Sequence, residues 1–538
     1  MKTINKLFLV AVGTFLMYSC TDMLDTLPAG STITSEQKED AVSANPKLLA
    51  ADVNTMYASM IKLFGALSAY DDLERHNDFG YPGIALMLET TGQDMTCFNS
   101  GYNWFGGDFA DRKYDSYESW ILWNQFYNQI YAANNVLSAT SENPSSALEK
   151  AYRGQALAFR AFNYLHLAQM YQFTYIGHEN DPCVPILTEK TTMDEAVNNP
   201  RASVKTVYGL IMSDLNLAIS YLKGFIPASK GFISQGAAYG LRARANLLMQ
   251  DWEQAASDAD SALIVSGAVP YTKKEVSVPS FNTANANSVI WANIIRETNE
   301  VVTSGIVNWP GHFCSFTGNG YVNVGAFKSI NKPLYDAIPT SDVRKGWWLN
   351  ENKQSPLVAD KKYDKWKETY AEDENFTPYI NVKFGAYKDL PMNTVNSQDW
   401  ILMRAEEMTL IKAEALAMSG DPGQGKAVLE GFVKENRDAT FTVTDATDVG
   451  VQNAVWKQRR IELWGEGFAY FDVLRLKKPL NRVENGVSSF PDAWQYNIPA
   501  ESPILLWRIS SKEINANAGI SESQNNPVAD VPKKGDGL

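Results

Sequence analysis

Helical and irregular sequence alternate along this chain, and two closely spaced helix pairs constrain the fold most. The first pair spans 235–249 and 252–265, and the second spans 403–418 and 425–436. Short turn-forming segments join the members of each pair, and small residues recur on the helix faces. This pattern is typical of tetratricopeptide-type repeats, in which stacked helix pairs share one core. The alanines predicted to mediate close helix packing are Ala243, Ala255, Ala262, Ala413, Ala415 and Ala427.

Further helical runs extend this scaffold in both directions. Apolar residues between Trp123 and Leu137 follow steps of four and three, which place them on one helix face. Runs at 148–171, 204–222 and 449–476 are also predicted helices. The sequence therefore predicts a mainly α fold, with a helical scaffold over about 116–266 and 400–478.

The remaining sequence is irregular and rich in Gly, Asn, Pro, Ser and Thr. It covers 71–115, 174–202 and 267–399. The last stretch is far longer than an ordinary connection, so we expect 71–115 and 267–399 to build a loop-rich ligand-binding lobe. Short strands are predicted within it, for example at 288–295 and 379–384.

The N-terminus has the features of an export signal. Lys2 and Lys6 precede an apolar run over 7–17, and small Ser19 precedes Cys20. The run is too short to span a bilayer permanently. We expect a signal peptide at 1–19, a lipidated Cys20 with a polar tether over 20–38, and one folded domain over 39–538. Ordinary secretion with an incidental cysteine is the alternative.

Charge and motif content exclude several functional classes. The chain has 61 acidic and 48 basic residues and no basic stripe, so nucleic-acid binding is not expected. Its four histidines form no metal-binding motif, and no nucleotide-binding or hydrolase motif occurs. We therefore expect no cofactor, no metal and no enzymatic activity. Pairing among Cys97, Cys183 and Cys314, a structural calcium held by loop oxygens and a glycosidase carboxylate pair are left open.

The motif Arg459-Arg460-Ile461-Glu462-Leu463 is followed by Glu466-Gly467 and by Asp472-Val473-Leu474-Arg475. It resembles the SusD/RagB-like outer-membrane nutrient-binding lipoproteins of Bacteroidetes and is the most specific of several matches to that family. Gln458 and Ala469 depart from the family pattern, which usually has Glu and Arg there. The other matching stretches are 123–137, 160–165, 184–186, 238–252, 402–415 and 509–517.

The resemblance implies a function as well as a fold. Such proteins bind oligosaccharides at the cell surface and act with a SusC-like TonB-dependent transporter of the outer membrane. Peptide binding of the RagB type is the alternative on the same scaffold. A glycoside hydrolase and a pure helical-repeat adaptor are further alternatives, and the adaptor leaves the irregular lobe unexplained.

Charged residues in the matching helices are predicted to be structural. Arg459, Glu462 and Glu466 share a helix face by their spacing, and Arg404, Glu406 and Glu414 form a second group. Buried ion pairs that fix helix packing explain both groups better than acid–base catalysis does.

Aromatic residues among Asn and Gly mark the predicted ligand site. They concentrate at 97–109 and 304–327, the two regions from which ligand contacts come in the resembling family. A flat ring matches the apolar face of a sugar, and amides match its hydroxyls. Alternatively, these aromatics fill the core of the lobe, although one ring of the adjacent pair Trp347-Trp348 is expected to face outward. The candidate ligand-binding residues are Trp104, Trp309, Tyr102, Asn103, Asn99 and Phe313.

Overall fold

A computed structural model describes residues 35–66, 74–97 and 102–538 of the chain. The predicted signal peptide, Cys20, most of the predicted tether and Asn99 lie outside the described residues. The predicted division into signal, tether and one domain stays a prediction. The tether is predicted to extend to residue 38, but the first described helix already begins at Ser35.

The described chain is mainly helical, as the sequence predicts. Its α-helices are α1 (Ser35–Ala44), α2 (Ala50–Ala58), α3 (Tyr81–Thr91), α4 (Tyr117–Ser138), α5 (Ala147–Tyr171), α6 (Met193–Ala196), α7 (Val204–Tyr221), α8 (Gln235–Met249), α9 (Trp252–Ser266), α10 (Glu300–Thr303), α11 (Trp309–Phe313), α12 (Lys332–Asp336), α13 (Asp364–Tyr370), α14 (Ala405–Met418), α15 (Pro422–Asn436), α16 (Asp448–Glu462), α17 (Ala469–Arg475) and α18 (Ser511–Ala516). None of these helices is both long enough and apolar enough to span a membrane.

Short antiparallel strand pairs connect distant parts of the described chain. The strands are β1 (Met95–Cys97), β2 (Val289–Asn293), β3 (Lys328–Ile330), β4 (Trp400–Arg404), β5 (Leu480–Asn481) and β6 (Asn497–Ile498). They pair as β1 with β3, β2 with β4, and β5 with β6. The β2–β4 pair runs from Val289 opposite Arg404 to Asn293 opposite Trp400. It therefore joins the irregular block to the start of α14.

The long helices stack in chain order. Helix α4 packs on α5, α5 on α7, α7 on α8 and α8 on α9. The irregular block then intervenes, and α9 packs on α14, which also contacts α15 and α16. This succession of neighbouring helix pairs is the tetratricopeptide-type arrangement that the repeat pattern predicts.

N-terminal caps explain why these helices begin where they do. The side chains of Ser116, Ser146, Ser203 and Ser234 each accept a hydrogen bond from the N–H three residues later, at the starts of α4, α5, α7 and α8. Asp421 caps α15 in the same way, with proline at the first helical position. Such caps satisfy N–H groups that have no partner within the helix.

Close helix packing depends on small residues, with one correction to the sequence-based assignment. Five of the six alanines assigned to this role are buried. Ala427 is exposed instead. Gly425, two residues earlier, takes its place, because a Cβ there would lie 2.6 Å from the carbonyl oxygen of Ala413.

Helix α3 lies in a stretch that the sequence predicts to be irregular. All eleven of its residues are buried, so it has no polar face and no amphipathic pattern. Pro82 and Gly83 near its start also have turn chemistry. Proline is tolerated in the first helical turn, where its missing N–H would be unsatisfied in any case.

Two further predictions need correction. The stretch predicted as a strand at 379–384 forms only isolated bridges, whereas the strand predicted at 288–295 is present as β2. The helix predicted over 449–476 is divided into α16 and α17. Gly465 and Gly467 lie between them with φ angles of +81° and +91°, which no helix accommodates.

The irregular block and the helical scaffold share one continuous hydrophobic core. Phe162 of α5 and Trp291 of β2 meet edge-to-face within it, with ring centroids 5.1 Å apart. The loop-rich region is therefore packed directly on the helices.

A buried ion network reinforces this junction around Glu462, at the end of α16. Its carboxylate accepts hydrogen bonds from Arg344 at 3.1 Å, Arg404 at 2.9 Å and Arg437 at 2.8 Å. Arg344 comes from the irregular block, and the other two arginines come from the scaffold. These contacts hold the pKa of Glu462 well below its usual range, against the opposing effect of burial.

Lys383 adds a second tie from the irregular block. Its ammonium donates to Glu466 at 2.7 Å and to the carbonyl oxygens of Glu462 and Trp464 at 2.9 and 2.8 Å. The predicted structural role of the motif is confirmed. Arg459, however, pairs with Asp472 of α17 at 2.7 Å, whereas its spacing predicts a partner on its own helix face.

Candidate functional site

Four aromatic side chains from three separate segments meet at the protein surface. The ring of Trp104 lies 4.6 Å from that of His76 and 6.2 Å from that of Tyr321, and Tyr102 lies 6.5 Å from Tyr321. Tyr102 is 51% exposed, Trp104 and His76 are half-buried, and Tyr321 is only 7% exposed. These four residues are called the aromatic surface below.

A stack of rings holds Tyr321 from beneath. His312, in α11, stacks on Tyr321 with centroids 4.5 Å apart and planes 19° apart, and Phe79 stacks on His312 at 5.4 Å. The Nε2–H of His312 donates to the carbonyl oxygen of His76 at 2.9 Å, and Nδ1 of His76 is hydrogen-bonded to the Tyr321 hydroxyl. The rings are thus fixed relative to one another without a ligand.

Both histidines of this arrangement are held neutral near pH 7. Burial lowers the pKa of His76, and it lowers that of His312 well below the usual value. Lys328, itself buried nearby with a lowered pKa, also disfavours a proton on His312. The aromatic surface therefore carries no formal charge on its one imidazole, that of His76, and the buried His312 beside it is neutral as well.

Amide side chains lie beside the rings. The Nδ2 of Asn103 donates to the carbonyl oxygen of Phe105 at 2.7 Å, and the Nδ2 of Asn323 donates to the Tyr370 hydroxyl at 2.7 Å. Among the described residues, neither Oδ1 has a hydrogen-bond partner. Both Oδ1 atoms are themselves buried, so the ring faces of Tyr102 and Trp104 are the groups that a sugar can contact directly, through its C–H face.

Three of the predicted ligand residues are brought together here, namely Tyr102, Asn103 and Trp104. Two others are not. Trp309 is 1% exposed, and its Nε1–H donates to the carbonyl oxygen of Gln398 at 2.9 Å. Phe313 is fully buried against Trp464, with ring centroids 5.7 Å apart. Both point into the core from the wholly buried helix α11, so neither offers a face to a ligand.

The adjacent pair Trp347-Trp348 is also in the core. One outward-facing ring is expected there from the sequence, but the two residues are 0% and 1% exposed. The ring of Trp348 packs edge-on against Trp464, with centroids 5.4 Å apart. This pair belongs to the junction between the irregular block and the motif helix.

Sequence reasoning did not select His76 and Tyr321. Tyr321 stands in the aromatic-rich segment 304–327, and, being only 7% exposed, it is not distinguished by the sequence from the other buried rings there. His76 has no neighbouring motif. Its place in the site depends on contacts with residues 28 and 245 positions away in the chain.

The thiols of Cys183 and Cys314 are free and buried, and burial raises the pKa of each to about 12. Cys97 lies 3.8 Å from the Lys328 ammonium. Within the described ranges, no group of three or more His, Cys, Asp or Glu side chains is arranged to hold a metal ion.

Known proteins share this sequence pattern and architecture. A SusD-like family model described as "starch-binding associating with outer membrane" matches residues 73–247, and the SusD family model matches residues 329–528. A SusD-like protein of Formosa agariphila is 22% identical over 408 residues, which cover 68% of this chain and 73% of that protein.

Solved structures give the same result for the fold. A SusD-like carbohydrate-binding protein from Bacteroides vulgatus superposes with a TM-score of 0.70 at 23% identity, covering 90% of this chain and 98% of that one. A SusD superfamily protein from Bacteroides thetaiotaomicron superposes with a TM-score of 0.65 at 19% identity, covering 90% and 99%.

Fold and site together define a helical-repeat protein that displays an aromatic surface on a loop-rich region packed against its helices. The chain belongs to the SusD/RagB family.

Proposed function

We propose that this protein is a cell-surface lipoprotein that binds oligosaccharides through the aromatic surface. It passes them to a SusC-like TonB-dependent transporter of the outer membrane for import, and lipid on Cys20 holds it there. It binds its ligand without cleaving it. The family descriptions, which name starch binding and outer-membrane association, support this proposal at the level of the family.

One observation carries the glycan part of the proposal. Tyr102 is 51% exposed and Trp104 is half-buried, and their rings lie 6.5 and 6.2 Å from that of Tyr321. Exposed aromatic area of this kind is typical of ligand-binding surfaces, and a flat ring matches the C–H face of a sugar. The fixed ring stack beneath means that little ordering is required on binding.

The test begins with the protein lacking residues 1–20, screened on a glycan array. The best glycan is then titrated by calorimetry against Trp104→Ala and Tyr102→Ala. We expect each substitution to weaken binding about tenfold or more, which corresponds to roughly 1.4 kcal/mol. Tyr131→Ala is the matched control, because Tyr131 is a 67% exposed tyrosine on α4 and outside the aromatic surface.

Other outcomes point to other functions. A blank array, together with a bound peptide pool found by mass spectrometry after incubation with digested protein, would favour RagB-type peptide binding. Release of reducing sugar that disappears on mutating one carboxylate pair would establish a hydrolase. Unchanged glycan binding in both aromatic variants would remove the aromatic surface from the proposal.

A further inference from the structure

A groove of about 380 Å³ lies beside helix α2, and none of its lining residues belongs to the aromatic surface. Its walls come from α2, the loop before α8 and the segment that follows β2. The volume is in the range of small-ligand sites, roughly 300–1,000 Å³. The lining residues that matter here are Asn54, Tyr57, Phe232, Asn293, Arg296 and Asn299.

Asn293 gives the first indication of a ligand. It is the last residue of β2 and is only 5% exposed. Its Nδ2 contacts the sulfur of Met60 at 3.3 Å, and its Oδ1 has no hydrogen-bond partner in the described ranges. A buried amide oxygen without a partner is costly, so a donor that reaches it from the groove, after a local shift of the atoms that cover it, would gain binding free energy.

Two fixed aromatic rings form one side of the groove. Phe232 is half-buried, and its ring meets that of Tyr57 edge-to-face at 5.2 Å. The Tyr57 hydroxyl donates to Gln155 at 3.0 Å and accepts from the N–H of Ile233 at 3.0 Å. The ring pair is therefore rigid, and its apolar area is suited to the C–H face of a sugar ring.

Arg296 gives the second, independent indication. Its side chain is exposed at the groove, and it forms no ion pair with any described residue. Arg112, Arg201, Arg482 and Arg508 also lack a carboxylate partner, but their guanidinium groups donate to hydroxyl or carbonyl oxygens, whereas that of Arg296 forms no hydrogen bond within the described residues. The guanidinium group matches a carboxylate in shape and can bind it with two parallel hydrogen bonds.

We infer that this groove is a second saccharide-binding site, selective for sugars that carry a carboxylate, which pairs with Arg296 while the sugar ring packs on Phe232. This inference rests on the proposed saccharide-binding function. Ile61 lines the groove, and the ring of Phe64 lies 6.5 Å from that of His76. Three residues span at most about 11 Å, so the groove and the aromatic surface are close neighbours on the chain.

The experiment measures binding of uronate tetrasaccharides by calorimetry and by ligand-observed NMR. The probes are tetragalacturonate, tetramannuronate and a glucuronate-containing tetrasaccharide, and the protein is the chain lacking residues 1–20. For the probe that binds, we expect Arg296→Gln to weaken affinity at least tenfold. The methyl ester of the same probe, which lacks the charge, is expected to lose affinity to a similar extent.

Two controls separate this site from the aromatic surface. Lys274→Gln removes one positive charge from an exposed position outside the groove and is expected to leave affinity unchanged. Trp104→Ala tests whether the acidic probe occupies the aromatic surface instead. Loss of binding in Trp104→Ala with none in Arg296→Gln would overturn the second site and leave the proposed function standing.

The remaining outcomes are also decisive. No binding of any of the three uronate probes, or equal binding of acid and methyl ester, would overturn the inference. Tighter binding of a tetra-aspartate peptide than of every sugar probe would overturn it as well, because the groove would then recognise acidic peptide. A crystal structure with the bound probe should show its carboxylate on Arg296.

Discussion

Glu89 is a carboxyl buried in the core at the end of helix α3. Its Oε1 accepts the N–H groups of Gly467 and Phe468 at 2.8 and 3.1 Å, while its Oε2 has no partner within the described chain. Burial raises the pKa of Glu89 to about 7, and the nearby charge of Asp94 acts in the same direction. The folded state therefore binds this proton more tightly than the unfolded state, whose pKa is near 4.5.

This difference predicts how stability depends on pH. The contribution of Glu89 is fully present below about pH 4.5 and is lost as the pH rises through 7, by at most about 3 kcal/mol. Glu89→Gln keeps an oxygen acceptor and removes the titration. We expect the free energy of unfolding of the variant, measured with urea, to rise relative to that of the native chain between pH 5 and pH 8. Equal pH profiles for the two proteins would contradict this.

Glu368→Gln is the control for this measurement, because Glu368 is exposed on α13. Its profile should follow that of the native chain throughout the range. The comparison isolates Glu89 from other groups that titrate over the same interval.

At the residue scale, the sequence indicates which residue types would suit a ligand site but not which individual residues lie at the surface. Tyr102, Asn103 and Trp104 come together at the surface. Trp309 and Phe313, which come from a segment equally rich in Gly, Asn and aromatic residues, lie in the core. Aromatic residues between Gly and Asn are compatible with either location. Which ring faces outward depends on the neighbours supplied by distant segments, and one sequence does not specify them.

Secondary-structure elements meet at Glu462, and this junction supports a second prediction. Three arginines contact its carboxylate, and all four side chains are 0% or 1% exposed. Glu462→Gln would leave these arginine charges without their shared counter-charge in the core. We expect a loss of about 3–5 kcal/mol in the free energy of unfolding, measured by chemical denaturation.

Asp336→Asn provides the comparison, because Asp336 pairs with Lys332 at the surface, where the two side chains are 48% and 38% exposed. An exposed pair contributes about 0–1 kcal/mol, so this variant should stay near native stability. Similar losses in the two variants would argue against a structural role for the buried network.

The loop between α16 and α17 supports a third prediction. Gly465 has φ of +81°, and a Cβ there would lie 2.4 Å from the ring of Phe313. Gly420 also has positive φ, at +101°, but its added Cβ would meet no described atom within 4 Å. Gly420→Ala therefore introduces backbone strain alone, about 1–2 kcal/mol.

Gly465→Ala should cost more than this, by about 1–3 kcal/mol, because overpacking adds to the strain. Thermal unfolding of both variants, followed by circular dichroism, compares the two losses directly. A loss at Gly465 no larger than that at Gly420 would show that the Phe313 ring moves aside freely.

The long helices with a polar face were predictable from the sequence, and the wholly buried helix α3 was not. Helices α5, α7, α8 and α9 begin and end within one or two residues of their predicted bounds. Helix α3 was missed because it is buried all round and lacks periodicity. The ion-pair partner of Arg459 was also missed, because Asp472 lies on the next helix, α17, beyond the loop at 463–468.

At the scale of the whole molecule, the shared core joins the site to the helical scaffold. The stack beneath Tyr321 continues through His312 to Phe79, and α11, which carries His312, is itself buried. The aromatic surface is thus part of a rigid body, and its ligand binding should not depend on membrane attachment. The proposed attachment and the proposed binding are therefore expected to be separable.

This separation gives the last prediction, which concerns the proposed lipid on Cys20. Cys20→Ala removes the acceptor for acylation and leaves the folded body unchanged. We expect the variant to bind glycan in solution as the native protein does, because the binding residues begin more than fifty positions later. We also expect it to leave the cell surface and to lose uptake, since the proposed anchor would keep the binding body at high effective concentration beside the proposed transporter. Protease accessibility on intact cells and growth on the bound glycan as sole carbon source measure these two effects.

Thr21→Ala, at the next position, is the control and should retain both surface localisation and uptake. Full surface retention and full growth of Cys20→Ala would show that lipid on this cysteine does not hold the protein.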